Sequence, residues 1–203
     1  MKKLTLALLA VMWIAAAATG YQKPPAQSGE SKRYSPEGCG LSLELGAQPQ
    51  KMDLPLPEDV SRNIYYLHGY SSIGKGFGVL ITHVSAPTLL NPKILAEGVV
   101  KGIIINAQIT DFSYSTEPST ETQAPLKGSY KQNGVALEFN GIALSQGKQA
   151  WVVATIYKQA DKASQSMSER VLSSVKVGGP PCPEQEEKIG KQLGSAATVT
   201  TGE

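Results

Sequence analysis

The run from Ala150 to Tyr157 constrains the fold more than any other part of the chain. Its residues, Ala-Trp-Val-Val-Ala-Thr-Ile-Tyr, are apolar at nearly every position. A strand with one buried face alternates apolar and polar residues, whereas a strand buried on both faces reads as a continuous apolar run. We therefore predict that 150–157 forms the central strand of a sheet.

Turn residues divide the rest of the chain into further strands. Two β-rich runs, 62–71 and 77–85, flank a Gly-rich turn, and strands 127–131 and 134–145 meet at Asn133-Gly134. A Gly-rich turn between two β-rich runs predicts the first hairpin. Asn-Gly is a favoured two-residue hairpin turn and predicts the second. A second Asn-Gly, Asn140-Gly141, lies inside the longer strand and predicts either a bulge or a turn. Alternating or β-branched residues predict further strands at 41–45, 108–117 and 175–177.

Two segments have helical signals. Asn91 and Pro92 are favoured residues at a helix start, and apolar residues follow at helical spacing to about residue 107. Asp161 begins a second helix that runs to about Ser174. Helices combined with an antiparallel sheet predict one α+β domain, an antiparallel β-sheet with two helices packed on it.

The chain resembles PsbP-like domains over about residues 34–177. The likeness lies in the opening Tyr34-Ser35-Pro36-Glu37-Gly38, the helix after a hairpin, and the ending Val171-Leu172-Ser173-Ser174-Val175-Lys176-Val177. The resemblance implies a PsbP-like fold and a scaffold class that includes extrinsic photosystem subunits, a small-GTPase partner and envelope proteins, most of them non-enzymatic. No binding motif of that family maps onto this sequence, so no functional residue is carried over.

The N-terminus predicts export from the cytoplasm. Lys2 and Lys3 precede an apolar run, Leu4–Ala18, and small residues suited to cleavage follow. Tyr21 stands where a lipid-attachment cysteine would be needed, so we expect no lipid anchor and a periplasmic or secreted protein. The run is shorter than the roughly 20 residues of a membrane-spanning helix.

Composition divides the chain into four segments. We predict a signal peptide at 1–20, a flexible linker at 21–33, the α+β domain at 34–183 and a polar, largely disordered tail at 184–203.

The chain contains two cysteines, Cys39 and Cys182, near the two ends of the predicted domain. In an oxidising compartment an even number of cysteines favours pairing, and the alternative is two separate thiols. A disulfide closing so long a loop would stabilise the fold by roughly 4–5 kcal/mol at most.

The charge balance excludes one class of partner. Removing Lys2 and Lys3 from the 19 Lys and Arg residues leaves 17, which equals the 17 Asp and Glu residues. Proteins that bind nucleic acid usually have a basic excess, so we expect no nucleic-acid partner.

The predicted hairpin at 62–85 carries the candidate functional residues. If its turn has an even number of residues, one sheet face presents a candidate binding face that consists of Tyr66, His68, Tyr70, Phe77 and His83. Tyrosine offers contact area with a polar group, and paired histidines suit metal binding or acid–base chemistry. The alternative is ordinary cross-strand packing inside the sheet.

Motifs for catalysis are missing from the sequence: there is no G-x-S-x-G, P-loop or CxxC. The leading hypothesis is therefore a non-enzymatic domain without a cofactor that binds a protein partner in the cell envelope or supports an assembly. A first alternative is a small-ligand carrier with a pocket between helix 92–107 and the sheet, lined by Tyr66 and Trp151. A second alternative is a hydrolase or metal enzyme using His68 and His83.

Overall fold

The structure, a computed structural model, describes residues 31–36, 40–52, 64–74, 76–105 and 109–178. These residues form ten strands and two helices. The strands are β1 Lys32–Tyr34, β2 Leu41–Leu45, β3 Gln50–Met52, β4 Tyr66–Gly74, β5 Phe77–Ser85, β6 Ile109–Ser115, β7 Gln123–Gln132, β8 Val135–Gln146, β9 Gln149–Lys158 and β10 Lys176–Val177. The helices are α1 Pro92–Ile105 and α2 Lys162–Ser173.

Seven strands form the main sheet in the order β3-β4-β5-β9-β8-β7-β6, and every neighbouring pair is antiparallel. Strand β9 occupies the middle position, as the apolar run 150–157 predicted. Trp151 and Val153 point to one face of the sheet and Ala154 points to the other, and all three residues are buried. A strand in this position needs apolar residues at successive positions because both of its faces are covered.

The second sheet has three strands in the order β1-β2-β10. Its middle strand, β2, has the alternating pattern that the sequence predicted, with Leu41, Leu43 and Leu45 buried. These leucines share one core with Ile81 and Trp151 of the main sheet. Thus β2 belongs to a second β layer and not to the main sheet.

The predicted α+β, PsbP-like class with one antiparallel sheet is therefore wrong. The described residues form a β-rich fold of two sheets, and only two helices accompany them. The error arose because alternation along a strand shows that one face is buried but does not show which strand it pairs with. Here β2 pairs with the N-terminal strand β1, which starts at Lys32 within the predicted linker, and with β10.

The two helices cover opposite faces of the main sheet. Helix α1 contacts β7 and β8, and its residues Leu95, Ala96, Val99 and Val100 are buried there. We call this side the α1 face. Helix α2 contacts β9 and β2, so it lies on the other side, beside the three-stranded sheet. We call that side the α2 face.

Both helices start at the predicted capping residues. The Asn91 side-chain oxygen accepts hydrogen bonds from the backbone N–H groups of Lys93 and Ile94, at 2.9 and 3.3 Å. Asp161 accepts from the N–H groups of Ala163 and Ser164, each at 3.1 Å. These bonds satisfy N–H groups that have no partner within the helix, and so they fix each starting point.

The second Asn-Gly is neither a turn nor a bulge. Asn140 pairs with Thr155 and Gly141 pairs with Ala154 in an unbroken ladder. A Cβ on Gly141 would lie 2.7 Å from the carbonyl oxygen of Val153, so this glycine permits the close approach of β8 and β9.

Several predictions lie outside the described residues. They are the signal peptide at 1–20, most of the linker at 21–33, the tail at 184–203 and the cysteines Cys39 and Cys182.

Candidate functional site

The register of the β4–β5 hairpin decides which of the candidate residues face each other. Tyr66 pairs with Ser85, His68 with His83, and Gly74 with Phe77, leaving the two residues 75 and 76 in the turn. Because that number is even, the five predicted residues do share one sheet face. That face is the α2 face, since Tyr70, Phe77 and Ile81 pack with the leucines of β2.

Because the three-stranded sheet packs on this face, most of these residues are part of the core. Tyr66, Tyr70, Phe77 and His83 are all less than 9% exposed, and His68 is half-buried. Tyr70 meets Tyr34 of β1 edge to face with ring centroids 6.3 Å apart, and Phe77 stacks on Tyr157 at 6.5 Å. The structure thus brings the five residues together but gives them neighbours of their own chain.

The fully buried His83 lies at the centre of this aromatic cluster. Its ring stacks on Trp151, with centroids 5.1 Å apart and an interplanar angle of 6°. The Tyr66 ring meets it edge to face at 4.9 Å, and Tyr66 Oη is 3.2 Å from His83 Nε2. His68 in turn stacks on Tyr66 at 5.0 Å.

Burial lowers the pKa of His83 to about 4, which leaves the ring neutral at neutral pH. An electrostatic interaction with His68 also lowers this pKa, while an interaction with the Gln149 side chain raises it. Within the described residues, Nδ1 of His83 forms no hydrogen bond of normal geometry. Desolvation is the larger effect.

A metal or acid–base role for the histidine pair has little support from this geometry. Within the described residues, no group of three or more His, Cys, Asp or Glu side chains is arranged to hold a metal ion. Zinc needs three or four protein ligands. The described surroundings of His83 include the rings of Tyr66, His68 and Trp151, the Tyr66 hydroxyl and the Gln149 side chain.

A cleft on the opposite side of the main sheet is a better candidate site. It has a volume of about 320 Å³ and lies at the sheet end that carries the β4–β5 and β7–β8 turns. Its floor is on the α1 face and consists of Leu80, Tyr130, Leu137 and Ile156. Among the helix residues whose side chains the structure describes, 92–101, none lines the cleft, so the floor is a part of the sheet that they leave open.

Glycines create the space. Gly78 lies beside Ile156 in the ladder, at a position that points into the cleft, and has no side chain to fill it. Gly74 and Gly76 line the cleft at the turn end of the same hairpin. These glycines lie at the Gly-rich turn that the sequence predicted between the two strands of the hairpin.

Apolar side chains extend from the cleft to the surface. Ile73 and Val135, which also line it, are 47% and 42% exposed. These two side chains lie at the turn ends of β4 and β8. Their exposure to water has an energetic cost, which is offset when a ligand or partner covers them.

The polar groups of the cleft lie at its rim. Gln132 and Asn133 come from the β7–β8 hairpin, and Lys158 ends β9. Among the described residues that line the cleft, Lys158 is the one with a formal charge. Burial raises the pKa of Tyr130 to about 12, so this tyrosine remains a protonated, neutral part of the floor.

The cleft differs from the pocket that the sequence suggested. Tyr66 and Trp151 were expected to line it, but both lie on the α2 face and neither contributes to the cleft. Of the predicted binding face, only Phe77 is among the cleft residues.

Comparisons with known proteins give little further information. No family model matches the chain, and no curated protein matches it. One solved structure that resembles it is the crystal structure of LpqN, described as involved in cell envelope biogenesis of Mycobacterium tuberculosis. The match has 14% sequence identity and a TM-score of 0.35, and it covers 64% of this chain and 84% of LpqN. A likeness at this TM-score carries no argument about function.

The comparisons do not show the resemblance to PsbP-like domains that the sequence suggested. In the part of the chain that the structure describes, no helix is long and apolar enough to cross a membrane.

Proposed function

We propose that this chain is a non-enzymatic binding domain that holds the apolar part of a small ligand in the cleft between its two hairpin turns. The observation that carries the proposal is the cleft itself, whose floor is formed by Leu80, Tyr130, Leu137 and Ile156. Ligand sites are typically concave and mostly apolar, with a few polar groups at defined positions, and measure about 300–1,000 Å³.

The location of the protein is part of the proposal. The N-terminal sequence, with Lys2 and Lys3 before Leu4–Ala18, supports export to the periplasm or the medium. In that compartment a carrier would shield an apolar ligand from water during its passage.

A neutral apolar dye tests the proposal. The fluorescence of N-phenylnaphthylamine rises on transfer from water to an apolar site, and we expect saturable binding of one dye molecule by the full chain. Gly78→Leu should abolish this binding because the new side chain would lie between Ile73 and Ile156 on the cleft floor.

The matched control is Gly46→Leu. Gly46 is exposed and lies outside the cleft, and a Cβ added to it would have no atom within 4 Å. Gly46→Leu should bind the dye like the unchanged chain. Absence of saturable binding, or equal binding by the two leucine variants, would refute the cleft as the binding site.

A further inference from the structure

We infer that the ligand of the cleft is a single-chain amphiphile with an anionic head group, and that Lys158 binds this group at the rim. The inference rests on the proposed function, since it assigns a ligand class to the same cleft. It depends on three features: the distribution of polarity in the cleft, the lack of an ion-pair partner for Lys158 among the described residues, and the size of the apolar floor.

Polarity is distributed as an amphiphile requires. Three of the four floor residues, Leu80, Leu137 and Ile156, have no polar side-chain atoms, and the fourth, Tyr130, is only 2% exposed. The residues Gln132, Asn133 and Lys158 lie at the rim. A ligand with a polar group in its middle would bury that group against the floor at a cost in desolvation. A ligand with one polar end can bury its chain and leave that end at the rim.

Lys158 is available for an anion. Two other lysines of the main-sheet region are paired, Lys93 with Glu117 and Lys131 with Asp111, the latter at 2.7 Å. Within the described residues, Lys158 forms no ion pair. Hydrogen bonds from Ser164 and Ala163 at the start of α2 lower the pKa of Asp161, and the charge of Lys158 lowers it further. The Oδ2 atom of Asp161 lies 4.0 Å from the position of a Cβ added to Gly76.

The charge selects the head group. Since Lys158 is the charged side chain among the described cleft residues, the rim favours an anion and disfavours a cation. A carboxylate or a phosphate can accept charge-assisted hydrogen bonds from the ammonium group and further bonds from the amides of Gln132 and Asn133.

The size of the cleft favours one chain over two. A volume of about 320 Å³ is near the lower end of the range for ligand sites, which is about 300–1,000 Å³. Each buried methylene should raise the affinity about 4-fold until the apolar floor is covered.

Three amphiphiles that each have a ten-carbon chain, counting the carboxyl carbon of decanoate, separate the head groups. Decanoate, decyl phosphate and decyltrimethylammonium are each titrated, below their micelle concentrations, against N-phenylnaphthylamine bound to the full chain. We expect the two anions to displace the dye at least about 10-fold more effectively than the cation. This preference for anions should decrease at high salt. Shorter carboxylates should bind more weakly by about 4-fold per methylene.

Lysine variants test whether the preference for anionic head groups depends on Lys158 at the rim. Lys158→Gln should weaken decanoate binding about 3- to 5-fold without changing the affinity for the neutral dye, and Lys158→Arg should largely restore it. Lys148→Gln removes the same charge from the β8–β9 turn at the other end of the sheet, so it should leave both affinities unchanged.

The outcomes distinguish the two proposals. If the dye does not bind, the proposed function fails and the inference fails with it. If the dye binds but anions and cation compete equally, or Lys158→Gln acts no differently from Lys148→Gln, only the anionic amphiphile is refuted. Dye binding with no competition from any of the three would instead indicate an apolar side chain of a protein partner.

Discussion

His83 and Trp151 are directly opposite each other on β5 and β9, and their rings are almost parallel, with an interplanar angle of 6° and centroids 5.1 Å apart. A histidine in this position can keep its contacts only while it is neutral, because the stacked indole and the surrounding core cannot hydrate a charge. Burial accordingly lowers its pKa from 6.5 to about 4. This relationship makes stability depend on pH.

We expect the free energy of unfolding to fall as the pH falls from about 6.5 to about 4. In this range the unfolded chain takes up a proton on His83 and the folded chain does not, so protonation favours unfolding. The loss attributable to this ring should reach about 2 kcal/mol at pH 4.5.

Urea denaturation at pH 7.5 and pH 4.5 measures this effect. His83→Gln is expected to be less stable than the unchanged chain at pH 7.5, but its own loss between the two pH values should be smaller by about 2 kcal/mol. An equal loss in the two proteins would show that His83 is not the group responsible.

Two glycines in the main sheet should respond oppositely to alanine. Gly78 has only an ordinary contact at 4.0 Å for an added Cβ, so Gly78→Ala should be neutral or stabilise by up to about 1 kcal/mol. At Gly141 the added Cβ would lie 2.7 Å from the Val153 carbonyl oxygen, and Gly141→Ala should destabilise by about 1–3 kcal/mol. Thermal unfolding of the two variants gives the comparison, and a similar change in both would contradict the tight packing of β8 on β9.

A buried hydroxyl pair should couple α2 to the main sheet. Thr155 Oγ1 is 2.6 Å from Ser168 Oγ and donates to the carbonyl oxygen of Asn140 at 3.0 Å, so Ser168 is the donor between the two hydroxyls. Thr155→Val leaves the Ser168 hydroxyl buried without this acceptor and should cost about 1–3 kcal/mol.

A double-mutant cycle isolates this coupling. Adding Ser168→Ala to Thr155→Val removes the stranded hydroxyl, so the double variant should be more stable than the sum of the two single changes predicts, by about 1 kcal/mol. Chemical denaturation of the four proteins supplies the four free energies. Strict additivity would mean that the two hydroxyls do not interact.

The pairing of Cys39 with Cys182 stays a prediction from the sequence. If the disulfide forms, Cys182→Ser should lower the melting temperature under oxidising conditions and change it little in the presence of a reductant. The stabilisation lost should not exceed roughly 5 kcal/mol, the loop-entropy value for a long loop. Equal melting temperatures of the two proteins in both buffers would exclude a structural disulfide.

Local signals predicted the elements of this fold well. The apolar run at 150–157 became the central strand β9, Asn91 and Asp161 became helix caps, and Asn133-Gly134 became the turn between β7 and β8. Each of these features depends on a residue's own backbone preference or on neighbours a few positions away, which the sequence displays directly.

The partners of those elements were harder to predict. The β7 strand begins at Gln123, four residues before the predicted strand 127–131, and includes Pro125. A proline is acceptable there because β6 pairs with β7 only from Lys127 onwards, so this part of β7 has no neighbour on that side. The sequence shows the proline, but it does not show where the pairing of β6 with β7 ends.

The sequence by itself determined the strands β2, β4, β5, β8 and β9 and the starts of both helices, because residue periodicity and capping residues display them. It also determined the shared face of Tyr66, His68, Tyr70, Phe77 and His83, because turn length fixes the register. Only the tertiary structure decided that β2 leaves the main sheet and covers this face, which turned a candidate surface into core. The tertiary structure also decided that Gly78 and Lys158, which are far apart in sequence, contribute to one cleft. Both outcomes depend on which strands pair across long sequence separations, and that choice is made by the packing of the whole chain.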